Sequence, residues 1–253
     1  MRIATKAAFL FAAVAMLALP LGVAHAQLVS VPILQHGQDE GMSVDNLAVS
    51  KVQGKSATNA LTTVYDNASA TALFGVVSTD LASTWGDELF TTGTGLLSTH
   101  KFTIFNAATN AGSLLTATVA LSFFDAVTSA PLGGYSGTIN FGGGLPAGSF
   151  SLITATALDP LLIGITTTDI VVTQQITAHT GATNRLGIVS MGPVLVGSSP
   201  ASMYISSSTV GGGVPGFYNS SSGPANPGYF VAVNPPPVGT LSSSWGSLKK
   251  LYH

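Results

Sequence analysis

Alternation of apolar and polar residues is the sequence feature that most constrains the fold of this chain. In the run 115–123, apolar side chains occupy every odd position, and threonine, alanine or serine occupies every even position. A period of two residues is the pattern of a β-strand with one face buried in a core. Tyr135, Ile139 and Phe141 repeat the pattern, and so do Phe102 and Ile104. We therefore expect these side chains, with Leu115 among them, to point into one core.

Turn-forming residues separate the β-rich runs at short intervals. Glycine, proline or asparagine interrupts the chain at 110–112, 131–134, 142–146 and 159–160. Many short strands spaced in this way are typical of a β-sandwich or barrel. The sequence predicts an all-β fold: an antiparallel, jelly-roll-like β-sandwich over residues 61–233, after an N-terminal signal helix. Further strands are expected at 61–65, 71–77, 162–173, 186–196, 203–207 and 229–233.

The first 26 residues have the three parts of a secretory signal peptide. Arg2 and Lys6 precede an uncharged apolar run over 7–23, and the Ala-His-Ala sequence at 24–26 matches a signal-peptidase site. An uncleaved membrane anchor is the alternative, because the run approaches the ~20 residues that a spanning helix needs. Pro20 and the cleavage site favour removal. We expect export through the Sec pathway of a bacterium and a secreted or cell-surface location.

Composition excludes several classes of partner and chemistry. Only 7% of the residues are charged, against roughly a quarter in ordinary globular proteins. No basic cluster occurs except Lys249-Lys250, so no nucleic-acid partner is expected. The chain has no cysteine, which excludes disulfides and thiol chemistry. Beyond residue 26 no run is long and apolar enough for a transmembrane helix.

The order of several segments resembles a known family. The Val-Tyr-Asp-Asn sequence at 64–67 is followed by Trp-Gly-Asp-Glu-Leu at 85–89 and Lys-Phe-Thr-Ile at 101–104, and then by an alternating strand ending at 125 and a glycine-rich hairpin. This order is similar to that of secreted bacterial β-sandwich proteins of the choice-of-anchor or PEP-CTERM-associated type, over about 62–233. The resemblance implies a β-sandwich at the cell surface and no particular activity. The C-terminal tail differs, because it lacks the Pro-Glu-Pro motif, apolar span and arginine cluster of that signal.

Motifs for catalysis are missing, so we do not expect an enzyme. The sequence contains no G-x-S-x-G, no P-loop and no H-E-x-x-H. His36, His100, His179 and His253 are isolated from one another. We expect each of them to be an ordinary surface or turn histidine.

A structural calcium ion is the cofactor that the sequence makes most plausible. Asp66, Asn67, Asp87 and Glu88 are expected near strand ends, and calcium prefers such hard oxygen ligands. A second candidate is the pair at 39–40. In the alternative interpretation, Asp66 and Asn67 form an Asx-type turn and the pair at 87–88 is solvated.

Two functions are compatible with this sequence. The first is a non-catalytic, secreted or cell-surface structural or adhesive protein, whose partners are surface matrix components or other copies of itself. The alternative is a carbohydrate-binding module of jelly-roll type that binds polysaccharide through exposed aromatic side chains. The candidates for such side chains are Trp85, Tyr204, Tyr218 and Tyr229.

The two flanks of the predicted sandwich differ from it in composition. Residues 27–60 are expected to form an N-terminal arm or first strands, and 234–244 a proline- and serine-rich linker. The tail at 245–253 has apolar side chains at helical spacing with lysines opposite, which predicts a short amphipathic segment. We expect it to dock on a partner through four side chains: Trp245, Leu248, Leu251 and Tyr252.

Overall fold

A computed structural model describes residues 30–31, 35–36, 40–42, 60–78, 83–206, 214–219 and 224–235. Within them the chain forms sixteen strands and one short 3-10 helix, Asp159–Leu161. The strands are β1 (Ser30–Val31), β2 (Gln35–His36), β3 (Glu40–Met42), β4 (Thr62–Asp66), β5 (Thr71–Ser78), β6 (Thr84–Phe90), β7 (Gly95–Asn106), β8 (Leu114–Asp125), β9 (Pro131–Leu145), β10 (Ser149–Ala155), β11 (Gly164–Ile165), β12 (Asp169–Gly181), β13 (Leu186–Gly192), β14 (Ser202–Ser206), β15 (Gly216–Asn219) and β16 (Phe230–Asn234). The all-β prediction is confirmed. The predicted signal helix and the tail at 245–253 lie outside the described residues.

The strands form two sheets, as the sandwich prediction requires. Sheet B has six strands in the order β15-β14-β6-β12-β8-β9, all antiparallel. Sheet A has ten, with β1-β5-β13-β7-β10-β2 as its main path and β16 pairing with both β4 and β7. Its only parallel pairings join β10 to the short strands β2 and β3 among the described residues. From β6 onward the chain passes repeatedly between the sheets, so residues distant in sequence face each other across the core.

The main core lies between the two sheets and confirms most of the predicted inward positions. Phe102, Ile104 and Ile139 are buried there, as are the odd positions of β8 from 117 to 123. Leu115 is the exception, because its side chain is 44% exposed while Leu114 is fully buried. The pairing of β8 with β9 shifts register between residues 114 and 116. This irregularity reverses the facing of the first residues of β8, and the alternation alone does not reveal it.

A second, smaller core lies on the other side of sheet A. Its buried members are Phe105, Ala107, Phe150, Val189 and Met191. Phe105 directly follows Ile104 in β7, and consecutive strand residues point to opposite faces. Both faces of β7 and β10 are therefore buried at this end of the sheet, which explains why the alternating serines of β10 are buried as well.

Sheet A curls around this second core. β1 pairs with β5 and β2 pairs with β10, at opposite ends of the main path. In a flat sheet β1 and β2 would lie about 24 Å apart, which is five strand spacings of about 4.8 Å. The four residue steps from Val31 to Gln35 span at most about 14 Å. The edges of β5 and β10 must therefore approach each other, so that the sheet wraps its outer apolar cluster.

Candidate interaction face and buried polar cluster

The outer face of sheet B carries rows of hydroxyl side chains that run across the strands. Asn140, Thr116 and Thr180 are directly opposite one another on β9, β8 and β12. The strand pairing places three further rows beside this one, and we call the four rows together the hydroxyl face. These rows are Thr138-Thr118-Ala178, Ser136-Ala120-Gln175-Thr84-Ser206 and Gly134-Ser122-Thr173-Gly86-Tyr204-Phe217.

Hydrogen bonds between threonines hold the hydroxyl face in register. The Thr116 and Thr180 hydroxyls are 2.7 Å apart, and the Thr118 and Thr138 hydroxyls are 2.9 Å apart. Such cross-strand pairs stabilise a sheet and fix the side-chain rotamers. Rows repeat about every 6.8 Å along the strands, and neighbouring strands lie about 4.8 Å apart. The result is an ordered two-dimensional array of donors and acceptors.

The hydroxyl face carries no charged side chain, and an aromatic pair lies at one edge. The nearest acid, Glu88, is in the adjoining row, opposite Val171 of β12. Tyr204 of β14 is paired with Phe217 of β15, and their rings meet edge to face at 5.6 Å between centroids. Phe217 is half-buried, so part of its ring is open to solvent. A neutral array beside an aromatic side chain suits contact with another neutral, hydroxylated surface.

Three of the four predicted aromatic binding residues are buried, and Tyr204, at 7% exposed, is one of them. Trp85 is 1% exposed and Tyr229 is fully buried. Tyr218 packs against the main core and donates its hydroxyl hydrogen bond to the Val214 carbonyl. Trp85, Tyr218 and Tyr229 therefore do not form the exposed aromatic surface that the sequence predicts for sugar binding. Their rings pack in or against the main core. Of the four, only Tyr204 lies in a row of the hydroxyl face, and there its side chain is largely covered, so Phe217 supplies the open part of the aromatic pair.

The four candidate calcium ligands come from the end of β4 with the residue after it and from β6, and one acid of each segment lies near Tyr65. Asp66 ends β4 and accepts a hydrogen bond from the Ser69 N–H at 3.0 Å, as expected for an Asx-type turn. The Asn67 side-chain oxygen accepts the Tyr229 N–H at 2.7 Å. Asp87 and Glu88 lie inside β6 rather than at a strand end, and they point to opposite faces. Burial raises the pKa of Tyr65, and the carboxyl groups of Asp87 and Asp66 raise it further, so that tyrosine lies near each of them.

Calcium at these residues remains a prediction. Among the described residues no three His, Asp or Glu side chains gather closely enough to share a metal ion. The second candidate pair cannot be placed, since residue 39 is outside the described ranges and only the backbone of Glu40, in β3, is described. The four tail residues are outside them as well. A thermal melt with calcium and then with chelator tests the prediction, because an ion at 100 times its Kd adds about 2.7 kcal/mol.

His100 is buried in the main core, and the prediction of a surface or turn histidine is wrong for this residue. Its Nδ1 atom is 2.7 Å from the Tyr135 hydroxyl, and its ring contacts Phe123 edge to face. Burial lowers the pKa of His100 from 6.5 to about 3. Burial also raises the pKa of Tyr135 well above its usual value. Both groups are therefore neutral at physiological pH.

Asp87 is the second buried ionisable group between the sheets. It is fully buried, and burial raises the pKa of its carboxyl group well above 3.8. Hydrogen bonds from the Glu88 N–H and from Ser199 act in the opposite direction. The sequence analysis predicts Asp87 as a calcium ligand near a strand end or, in the alternative, as a solvated acid, and burial contradicts the alternative for this residue. The signal in the sequence was its odd position between Trp85 and Leu89, both of which are apolar.

Comparison with protein-family models, curated proteins and solved structures finds no significant match for this chain. The described residues contain no helix with the length and apolar character needed to cross a membrane.

Proposed function

We propose that this is a non-catalytic, secreted or cell-surface structural or adhesive protein that uses the hydroxyl face of sheet B as its contact surface. The observation that carries the proposal is the extent of that face: four aligned rows, without a charged side chain, on a rigid sheet. Assembly in a surface layer brings many copies or polymer chains close together, and charge repulsion would oppose it. The signal-like first 26 residues support export.

The long edge strand of the same sheet supports self-association. β9 is at the end of sheet B, so among the described residues one side of its backbone has no strand paired to it within that sheet, although β3 of sheet A lies beside it. Its fifteen residues include no charged side chain. Natural proteins often place lysine or another charge on an exposed edge to prevent pairing with other chains. A neutral edge beside a neutral face favours packing of copies side by side.

Charging the face tests the proposal. In the double variant Thr118→Lys/Ser136→Lys, two lysines stand on the hydroxyl face of adjacent strands. Val127→Lys/Leu61→Lys adds the same charge at positions that are 61% and 54% exposed and outside the face. We expect the first variant to be released into the medium by washing, while the control stays with the cells. If both variants stay with the cells to the same extent, the hydroxyl face is not the contact surface.

Polysaccharide binding is the second candidate function, and the Tyr204–Phe217 pair favours it. Carbohydrate sites commonly combine an aromatic face with polar side chains, and this pair ends the row that includes Thr173 and Ser122. Phe217→Ala should then abolish retardation in polysaccharide-containing native gels. Tyr218→Ala, in the same hairpin but facing the core side, is the control. A panel of polysaccharides that retards neither protein would exclude this function.

A further inference from the structure

We propose that the polar cluster formed by Tyr65, Asp87 and Tyr229 inside the sandwich is a binding site for ordered water, closed by the loop at 194–200. This inference concerns the interior and is independent of the proposed surface function. It rests on the strand register, on buried polar atoms without partners, and on the way in which the loop joins the two sheets.

The register of both sheets brings the polar side chains of this cluster together. Val231 of β16 is opposite Tyr65 of β4 on one side and His100 of β7 on the other, so these three residues share one inner row of sheet A. Tyr229 precedes this row and its ring lies 5.6 Å from that of His100. Asp87 of sheet B is hydrogen-bonded to Ser199, which also accepts a hydrogen bond from the Tyr65 hydroxyl. Burial raises the pKa of Tyr65 and Tyr229, and the nearby Asp87 carboxyl group raises it further.

Several polar atoms of this cluster have no hydrogen-bond partner among the described residues. They are Asp87 Oδ2 and the Tyr229 hydroxyl, and Nε2 of His100, whose ring lies beside that of Tyr229, has none either; all three residues are 0% exposed. A buried polar group without a partner costs about 1–3 kcal/mol. In native proteins such groups are paired in most cases, often through an internal water that makes about three hydrogen bonds. Unpaired groups on both Asp87 and Tyr229 therefore indicate a shared occupant.

The loop at 194–200 covers the cluster and links the sheets. Val196 forms a two-way backbone bridge with Asp66 of β4, and Ser198 forms one with Phe90 of β6. Ser199, the next residue, is half-buried and accepts a hydrogen bond from the Tyr65 hydroxyl at 3.3 Å. Ser199 also interacts with Asp87. Ser199 is therefore a partly exposed polar side chain in contact with both the buried acid and Tyr65.

The chemistry of the cluster fits water better than a cation. The groups that face Asp87 are two tyrosine hydroxyls and Ser199, with neutral His100 beyond Tyr229. A hydroxyl donates as well as accepts, and water is the smallest molecule that can satisfy both kinds of group at once. An ionised buried carboxylate would need a paired charge. A protonated Asp87 bonded to water needs none.

Removing one hydroxyl distinguishes a hydrated site from a dry one. Tyr229→Phe deletes a hydroxyl that has no protein partner. If that hydroxyl binds water, the variant should lose about 2–4 °C in Tm, the shift expected for one lost hydrogen bond in a chain of this size. If the hydroxyl is dry, its removal should leave Tm unchanged or raise it, which would overturn the proposal. Tyr135→Phe, whose hydroxyl is paired with His100, serves as the reference for a lost bond.

A crystal structure of the wild-type protein tests the proposal directly. We expect a water peak at hydrogen-bond distance from both Asp87 Oδ2 and the Tyr229 hydroxyl, unaffected by crystal growth in chelator. An empty site with the side chains bonded to each other would overturn the proposal. A peak within 2.6 Å of the carboxyl oxygen that disappears with chelator would also overturn it, because that distance is typical of calcium.

Discussion

His100 and Tyr135 join the two sheets through a hydrogen bond that is wholly buried: Nδ1 of the histidine on β7 lies 2.7 Å from the hydroxyl of the tyrosine on β9. No charged side chain of the described residues pairs with either of them, and both are neutral because of burial. Asp87 is buried between the same sheets, and burial shifts the pKa values of all three ionisable side chains. The pH dependence of stability follows from these groups.

Asp87 and His100 are expected to give opposite pH dependences of stability. The folded protein keeps a proton on Asp87 above pH 3.8, which the unfolded chain releases, so this contribution is lost as pH rises. His100 stays neutral in the folded protein down to about pH 3, whereas the unfolded chain binds a proton below pH 6.5, so its contribution is lost as pH falls. Between about pH 3 and 6.5 the His100 slope approaches about 1.4 kcal/mol per pH unit, and above pH 3.8 the Asp87 slope has the opposite sign.

Single variants separate the two slopes. Relative to the wild type, Asp87→Asn should gain stability as pH rises through this window, and His100→Gln should lose it. Urea denaturation at half-unit pH intervals measures both differences. If either difference is independent of pH, the corresponding group has an ordinary pKa in the folded protein.

Asn106 is expected to be among the most sensitive polar positions of the fold. Its side-chain amide donates to the Gly112 and Leu145 carbonyls, and its oxygen accepts from the Ala108 N–H and the Thr183 hydroxyl. Asn106→Asp leaves both carbonyls without a donor and buries an acid. The free energy of unfolding should fall by about 2–4 kcal/mol in chemical denaturation.

Asn110→Asp is the control for this experiment. Asn110 makes similar local bonds, to the Gly112 N–H and the Ala182 carbonyl, but it is exposed. Its loss should be below about 1 kcal/mol, since water replaces the lost donor. Equal losses at the two positions would show that burial of Asn106 does not determine its contribution.

Gly197 in the loop over the buried cluster is expected to tolerate no side chain. Its φ is +78°, and a Cβ atom would lie 2.6 Å from the Phe90 carbonyl oxygen. Gly197→Ala should lower the free energy of unfolding by about 1–3 kcal/mol through strain and contact. At Gly143 a Cβ atom would have no other atom within 4 Å, so Gly143→Ala should leave the stability unchanged. Thermal melts of the two variants measure the difference. A neutral Gly197→Ala would mean that the loop moves freely away from β6.

Gly75 and Phe105 should show strong energetic coupling in the second core. A Cβ atom on Gly75 would overlap the Phe105 ring across the curled sheet. We expect Gly75→Ala to destabilise the protein by about 1–3 kcal/mol through overpacking. Phe105→Leu should recover part of that loss in the double variant, whereas additive effects in a double-mutant cycle would contradict the contact.

The local pattern of the sequence determined the fold class and most of the inward positions. Alternation in β8 and β9 assigns Val119, Leu121 and Ile139 to the core, because side-chain facing in a strand depends only on the period of two. Leu115 fails this rule, since the register shift beside it depends on the partner strand. The same alternation assigns the threonines and serine of β8 to the polar face of the strand. It does not show the rows that they form with residues of β9 and β12.

Only the tertiary structure decided which distant residues meet. His100 and Tyr135 are 35 positions apart, and Asp87 faces Tyr229 from another sheet. Strand order and register are set by pairings between distant segments, which composition and periodicity do not encode. The sequence therefore determined that this chain folds as a β-sandwich with few charges. The tertiary structure decided that one acid and one histidine are buried between the sheets, and that neutral side chains align into a face.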